Sequence, residues 1–313
     1  MIDSAEEVLA KQFFTTFEQE ILKDRPEYFK KELERRVFIK IRDLFDKTGR
    51  NVPSDLNKFG SFRKVKNIIE DASLTTCEAM LTPIRGGFII KYDPKVPETR
   101  QRFSIAHEIG HTFFFDLNVD DQTMPQKTFK SFSKTEEKWA NLIAGEILTP
   151  EPYFYKSVLE FGKKPSIYIL KNLKLKFKVS LEVLIKRLLY DAPKWNQNIW
   201  KDDLWECFIV IGEENKENKI RLSFYRSPNF QYKLTFLTRN RILELMNKIL
   251  SQNKEGTDEK KPEKIEFSKR TCMIINAKGE IKIMEYNKIK YRGEVFLISK
   301  KPHKRAILLI TIP

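Results

Sequence analysis

Apolar residues recur through the first two thirds of this chain at helical spacing and gather in short β-rich runs through the last third. Phe13, Phe14, Phe17 and Ile21, then Val37, Ile39, Ile41, Leu44 and Phe45, predict two helices within residues 1–48, parted near Pro26. Gly86 and Gly87 followed by Phe88 to Tyr92 predict a glycine-started strand, with Asp93-Pro94 opening a loop behind it. Ala106, Ile109, Gly110 and Phe113 fall at i, i+3, i+4 and i+7, the stripe of a helix packed on a core. Gly110 is unfavourable inside a helix, so the pattern implies another backbone passing close to it. Trp139, Leu142, Ile143 and Ile147 predict a further helix closed by Pro150. Ile167, Leu170, Leu173 and Leu175, then Leu181, Leu184, Ile185 and Leu188, predict a helical pair joined around Lys178–Ser180, with Ser180 as N-cap.

Beyond Pro193 the texture changes. Cys207–Ile211, Ile220–Tyr225, Met273–Ile275 and Val295–Ile298 predict strands, and Arg239–Leu250 one helix among them. The charged, low-complexity span Gln252–Lys264 predicts a loop. The elements describe an α+β chain in three parts: a helical extension over 1–48, a core with its following helical pair over 49–192, and a C-terminal α+β domain over 193–313. A length of 313 residues suits more than one domain.

Composition narrows the setting. No apolar run reaches 18 residues and no charged-then-apolar leader opens the chain, so neither a membrane span nor a secretory signal is expected. Cys77, Cys207 and Cys272 are odd in number and widely spaced, which points away from a disulfide framework and toward a reducing cytoplasm. A net charge of +15 raises nucleic acid as a partner, most locally through the lysines between 163 and 187. We read that stretch as a solvated basic face on structural helices.

The chemistry concentrates in His107-Glu108-Ile109-Gly110-His111, which takes two of the three histidines in the chain. A helix turns about 100° per residue, so His107 and His111 project from nearly the same side, one turn apart, where both can reach one zinc ion. Glu108 lies a quarter turn away, placed to handle a water as general base: this is the HExxH pattern of zinc peptidases. A catalytic zinc takes a third protein ligand. Glu136 and Glu137, at the start of the next predicted helix, are both candidates, and spacing does not choose between them.

The stretch Arg102-Phe103-Ser104-Ile105-Ala106-His107-Glu108-Ile109-Gly110-His111, followed by Glu137 through Asn141 to Pro150, resembles the ImmA/IrrE metallopeptidases. The likeness spans residues 50 to 190, departing at Ile143 and Thr149, where that family usually carries Phe and Met. It implies a zincin-like fold, Zn2+ held by His107, His111 and Glu137, and Glu108 as base. It also implies selective cleavage of a regulatory protein, often a transcriptional repressor. The strand before the metal helix, Gly86–Tyr92, would be the edge that pairs with extended substrate. Arg102 reads as structural; an oxyanion needs a donor beyond the metal, and Tyr92, Tyr153 or Tyr155 are open choices among which the sequence selects none. The rival classes are a non-catalytic regulatory protein with a structural zinc and a nucleic-acid-binding factor.

Overall fold

The computed structural model describes residues 4–117, 120–127, 134–162, 165–191, 207–214, 220–227, 242–244, 246, 263–267, 272–275, 281–284, 291–299 and 305–311. They form an α+β protein with helices first and most strands last. The chain divides into two compact units, one of residues 1–157 with 173–184 and one of 158–172 with 185–313. No helix among the described residues is long and apolar enough to cross a membrane.

The first unit opens with α1 (Ser4–Phe13), α2 (Thr16–Lys23) and α3 (Pro26–Lys47). Three helices stand where the apolar spacing predicts two. The extra break falls at Thr15, whose hydroxyl accepts the Glu18 N–H at 3.2 Å while Glu18 Oε2 accepts the Thr15 N–H at 2.8 Å. That reciprocal cap ends one helix and starts another within two residues. Pro26 then sits in the first turn of α3, where its missing N–H leaves no partner wanting. Phe17 and Ile39, which fit the stripe by spacing, are exposed, while Phe14, Phe29, Leu33, Val37, Ile41 and Phe45 form the buried face.

Next come α4 (Leu56–Ser61), β1 (Val65–Glu70), β2 (Ala79–Ile84) and β3 (Gly87–Tyr92). They make a three-stranded sheet ordered β1–β3–β2, with β3 parallel to β1 and antiparallel to β2. The strand over Gly86–Tyr92 is therefore central, which corrects the expectation that it is the edge. The free edge beside the helix of His107 and His111 belongs to β2. Pro83 in β2 suits an edge, because proline can give no ladder hydrogen bond. Gly87 is forced by its neighbour: a Cβ there would lie 2.1 Å from the Lys64 carbonyl oxygen, which accepts the Phe88 N–H.

Helix α5 (Glu98–His111) runs into a 3-10 turn at Thr112–Phe114, and α6 (Lys134–Leu148) packs against it. Ile105, Ala106, Ile109, Phe113 and Phe114 of the first are buried, as are Trp139, Ala140, Ile143, Ala144 and Ile147 of the second. Gly110 fits its expected part, since a Cβ there would stand 2.9 Å from the Ala140 carbonyl oxygen. The N-terminal helices pack on the same elements. Gln12 donates to the Phe113 carbonyl at 2.6 Å. Arg42 of α3 reaches Glu146 of α6 at 2.7 Å and also pairs with Glu151.

Three further helices follow: α7 (Glu151–Phe161), α8 (Ile167–Phe177) and α9 (Leu181–Lys186). Ser180 caps the last of these as expected, its hydroxyl accepting the Val183 N–H at 3.3 Å. Leu175, counted by spacing among the core positions of α8, is exposed; Ile169 and Phe177 are buried.

The second unit is a five-stranded antiparallel sheet, ordered β5–β4–β10–β9–β6, with a separate pair β7–β8. Its strands are β4 (Cys207–Glu214), β5 (Ile220–Arg226), β6 (Glu263–Phe267), β7 (Cys272–Ile275), β8 (Ile281–Met284), β9 (Tyr291–Ser299) and β10 (Arg305–Thr311). All four predicted runs lie on strands. Of the expected helix at 239–250 only residues 242–244 and 246 are described, and they are helical. Most of the 252–264 span lies outside the described residues, and its last two residues already belong to β6.

Candidate metal centre

His107 and His111 leave α5 one turn apart and present their Nε2 atoms to each other at 3.0 Å. Glu137, from the first turn of α6, closes the group: its Oε2 stands 3.2 Å from His107 Nε2 and its Oε1 3.4 Å from His111 Nε2. The three side chains can hold a metal ion, with one donor atom from each lying within 4.8 Å of the others. What brings α6 this close is the glycine at 110, immediately before His111. Glu137 keeps 48% of its side chain exposed against 5% for His111, so the group opens to solvent on the α6 side.

Each imidazole is tethered through its other nitrogen. His107 Nδ1 lies 3.2 Å from Asn141 Oδ1, and the same amide donates through Nδ2 to the Glu137 carbonyl at 2.8 Å. His111 Nδ1 lies 2.8 Å from Oε1 of Glu136, a carboxylate with no exposed surface, whose Oε2 is 2.8 Å from Lys127 Nζ. Spacing left Glu136 and Glu137 open as candidates for the third donor. The structure sets them on different faces of α6, with only Glu137 turned toward both Nε2 atoms.

Glu108 stands beside this group and outside it. Its Oε2 accepts the Leu81 backbone N–H of β2 at 2.9 Å. Burial pushes the Glu108 carboxyl above the usual carboxylate range, with His111 and the Leu81 N–H opposing. A carboxyl poised upward is a better proton acceptor than a surface glutamate. Burial also holds the His107 imidazole below its ordinary value, and repulsion from His111 adds to this, while Glu137 works against it. A neutral imidazole is the form that binds a metal. Ahead of Glu108 on α5, Arg100 pairs with Glu78 at 2.6 Å and Ser104 donates to the same carboxylate at 3.1 Å. Those contacts pin the start of β2 over the helix.

The remaining candidates lie elsewhere. Arg102 donates to the Ser54 carbonyl at 2.9 Å, the structural part expected of it. Tyr92 donates to Glu70 and Tyr153 to Asp46, so neither hydroxyl bonds to the metal group. The third histidine of the chain, His303, lies outside the described residues. Three participants escaped the sequence reading: the Leu81 N–H, Lys127 and the inward turn of Glu136. A backbone donor and a contact spanning nine positions leave no local pattern, although the acidic pair at 136–137 marked the place.

Comparison with known proteins agrees with this geometry. Residues 66–189 match the family described as the IrrE N-terminal-like domain of the M78 peptidases. A search of curated proteins returned no match. Among solved structures, a Mycobacterium tuberculosis transcriptional regulator aligns over 99% of this chain and 82% of its own, at 13% identity and a TM-score of 0.46. A likeness that loose carries no functional argument. The family match covers β1 through α9, including both helices that carry His107, His111 and Glu137, and over that stretch the chain is similar to the IrrE N-terminal-like domain.

Proposed function

We propose that this chain is a zinc-dependent endopeptidase acting on a regulatory protein, with His107, His111 and Glu137 as metal ligands and Glu108 as general base. The observation that carries this reading is the position of Glu108: half-buried, raised in pKa, adjacent to three converging donors and not one of them. A purely structural zinc site takes four protein ligands and has no use for a base. Here three donors converge among the described residues, the number that leaves room for the water or substrate of a catalytic site. The 3.0 Å between the two Nε2 atoms also suits the ion, and Glu137 brings one oxygen to 3.2 Å from His107 and the other to 3.4 Å from His111. Donors about 2.0–2.1 Å from a tetrahedral zinc stand roughly 3.3 Å apart.

Zinc, when bound, supplies the Lewis acidity that activates water and polarises a peptide carbonyl. The protein does the rest. The free edge of β2, whose Leu81 N–H reaches Glu108, offers a ladder for an extended peptide beside the metal group. Glu108 accepts the proton of the attacking water and returns it to the leaving amine. Asn141 and Glu136 keep both imidazoles turned toward the same point. The cytoplasmic setting rests on the three widely spaced cysteines, and a transcriptional repressor as substrate rests on the likeness to the ImmA/IrrE peptidases.

The test is a proteome comparison of cells carrying the wild-type chain or Glu108→Gln, joined to the metal content of both purified proteins. The variant is expected to keep its zinc while one or a few proteins accumulate that the wild type removes. Identical proteomes, with the wild-type chain metal-loaded and present at equal abundance, would refute the peptidase assignment.

A further inference from the structure

Glu136 is fully buried, yet it is an acid in the first turn of an amphipathic helix, where a solvent-facing position would be ordinary. Burying a carboxylate is unfavourable unless each oxygen finds a partner. Oε1 lies 2.8 Å from His111 Nδ1, within hydrogen-bond reach, and Oε2 lies 2.8 Å from Lys127 Nζ, an ion pair by distance that lacks hydrogen-bond alignment. Lys127 comes from the segment between α5 and α6, in a position fixed by its backbone bridge to Phe115. The loop, the metal helix and α6 thus meet at one carboxylate. The two imidazoles are held unequally. His107 has a neutral amide oxygen at 3.2 Å, and His111 has a carboxylate at 2.8 Å, fully buried and backed by a lysine.

We propose that Glu136, oriented by Lys127, is a positioning residue that fixes His111 as the Nδ1–H tautomer and directs its Nε2 lone pair at the metal position. This rests on the reading of His107, His111 and Glu137 as a metal site. A carboxylate oxygen accepts only, so the His111 nitrogen facing it carries the hydrogen. The opposite nitrogen, Nε2, then keeps its lone pair, and it is Nε2 that faces His107 and Glu137. The same contact stops the ring from turning about its Cβ–Cγ bond. The Lys127 ammonium, 2.8 Å from the second oxygen, draws the carboxylate to this position by charge. Partners of this kind, one shell behind a ligand, change metal affinity by about 10–100-fold when removed.

The sharpest variant is Glu136→Gln. It keeps size and shape, but its amide has one accepting oxygen for two donors, and the NH2 end must face either His111 Nδ1 or Lys127 Nζ. The full-length chain is stripped with a chelator, and its affinity for Zn2+ and for Co2+ is measured by competition with a chromophoric chelator. Glu136→Gln is expected to bind both ions about 10–100-fold more weakly than wild type. Lys127→Met is expected to weaken both in the same direction and less. A part in packing alone would lower the melting temperature and leave the affinity of the folded protein unchanged. That outcome, wild-type affinity in folded Glu136→Gln, overturns the proposal. A second readout needs no variant: nitrogen-15 NMR of the metal-free wild-type imidazoles should show His111 as a single Nδ1–H tautomer. An Nε2–H tautomer, or a mixture, overturns the inference even where Glu136→Gln does not fold. Failure of the metal reading looks different, because the wild type would then bind neither ion while the His111 tautomer remains measurable.

Discussion

Two glycines, Gly110 in α5 and Gly145 in α6, allow the packing of the metal helix to be tested by opposed outcomes. Both sit in helix interiors, where alanine is better by about 0.8–1 kcal/mol on propensity alone. They differ in what a methyl would meet. At Gly145 nothing among the described residues lies within 4 Å of the added carbon. Gly145→Ala should therefore stabilise by about 0.5–1 kcal/mol. At Gly110 the same carbon would stand 2.9 Å from the Ala140 carbonyl oxygen and 3.1 Å from its Cα, both rigid backbone atoms. The two helices must part by several tenths of an ångström, loosening Ala106, Ile109, Ala140, Ile143 and Ala144, all fully buried. Overpacking of this kind costs about 1–3 kcal/mol. After the propensity gain, Gly110→Ala should destabilise by up to about 2 kcal/mol. In a unit of this size each kcal/mol moves the melting temperature by about 2–4 °C. Thermal melts of the metal-free proteins should thus shift down for Gly110→Ala and up for Gly145→Ala. Zinc affinity should fall only for Gly110→Ala, because His111 and Glu137 sit on the two helices being driven apart. A Gly110→Ala protein that melts as high as Gly145→Ala, with unchanged zinc affinity, would refute the close approach of α5 and α6.

Two further outcomes follow from the same contacts. Arg42→Met leaves Glu146 and Glu151, both nearly inaccessible, without their arginine; breaking a buried charge network of this kind should cost about 3–5 kcal/mol, read as a lowered urea midpoint with an unchanged slope. Asn141→Ala removes the partner of His107 Nδ1 and should weaken zinc binding by about 10-fold or more, measured by chelator competition, with the secondary structure intact by circular dichroism.

Most of the metal group was legible because its geometry is local. His107, Glu108 and His111 share one helix, and a 3.6-residue period fixes their relative directions before any tertiary contact exists. The apolar stripe through Ala106, Ile109 and Phe113 showed that this helix is buried, and Gly110 showed that something passes close. The choice between Glu136 and Glu137 was not legible from spacing, since it depends on the rotation of α6 against α5. The resemblance named Glu137, and the helix contact at Ala140 gives the physical reason. The misassigned edge has a different cause. β2 is short and carries Pro83, so it reads poorly as a strand, although a proline within a run is itself a mark of an edge. The break between α1 and α2 carried its signature in Thr15 and Glu18, a capping box hidden by the aromatic run before it. In the second unit the predicted strands were found, but their order depends on long-range pairings such as β10 between β4 and β9, which no local pattern encodes.

The central claim is that one metal ion is held by His107, His111 and Glu137, and its most direct test is elemental analysis of the purified chain after dialysis against a mild chelator. Wild type and Glu108→Gln should each retain about one zinc per chain, as a site with three protein ligands implies. The His107→Ala, His111→Ala double variant should retain none, and Glu137→Ala should lose most. Full zinc retention by the double variant, or a wild-type chain that holds no metal when saturated and dialysed, would contradict the account.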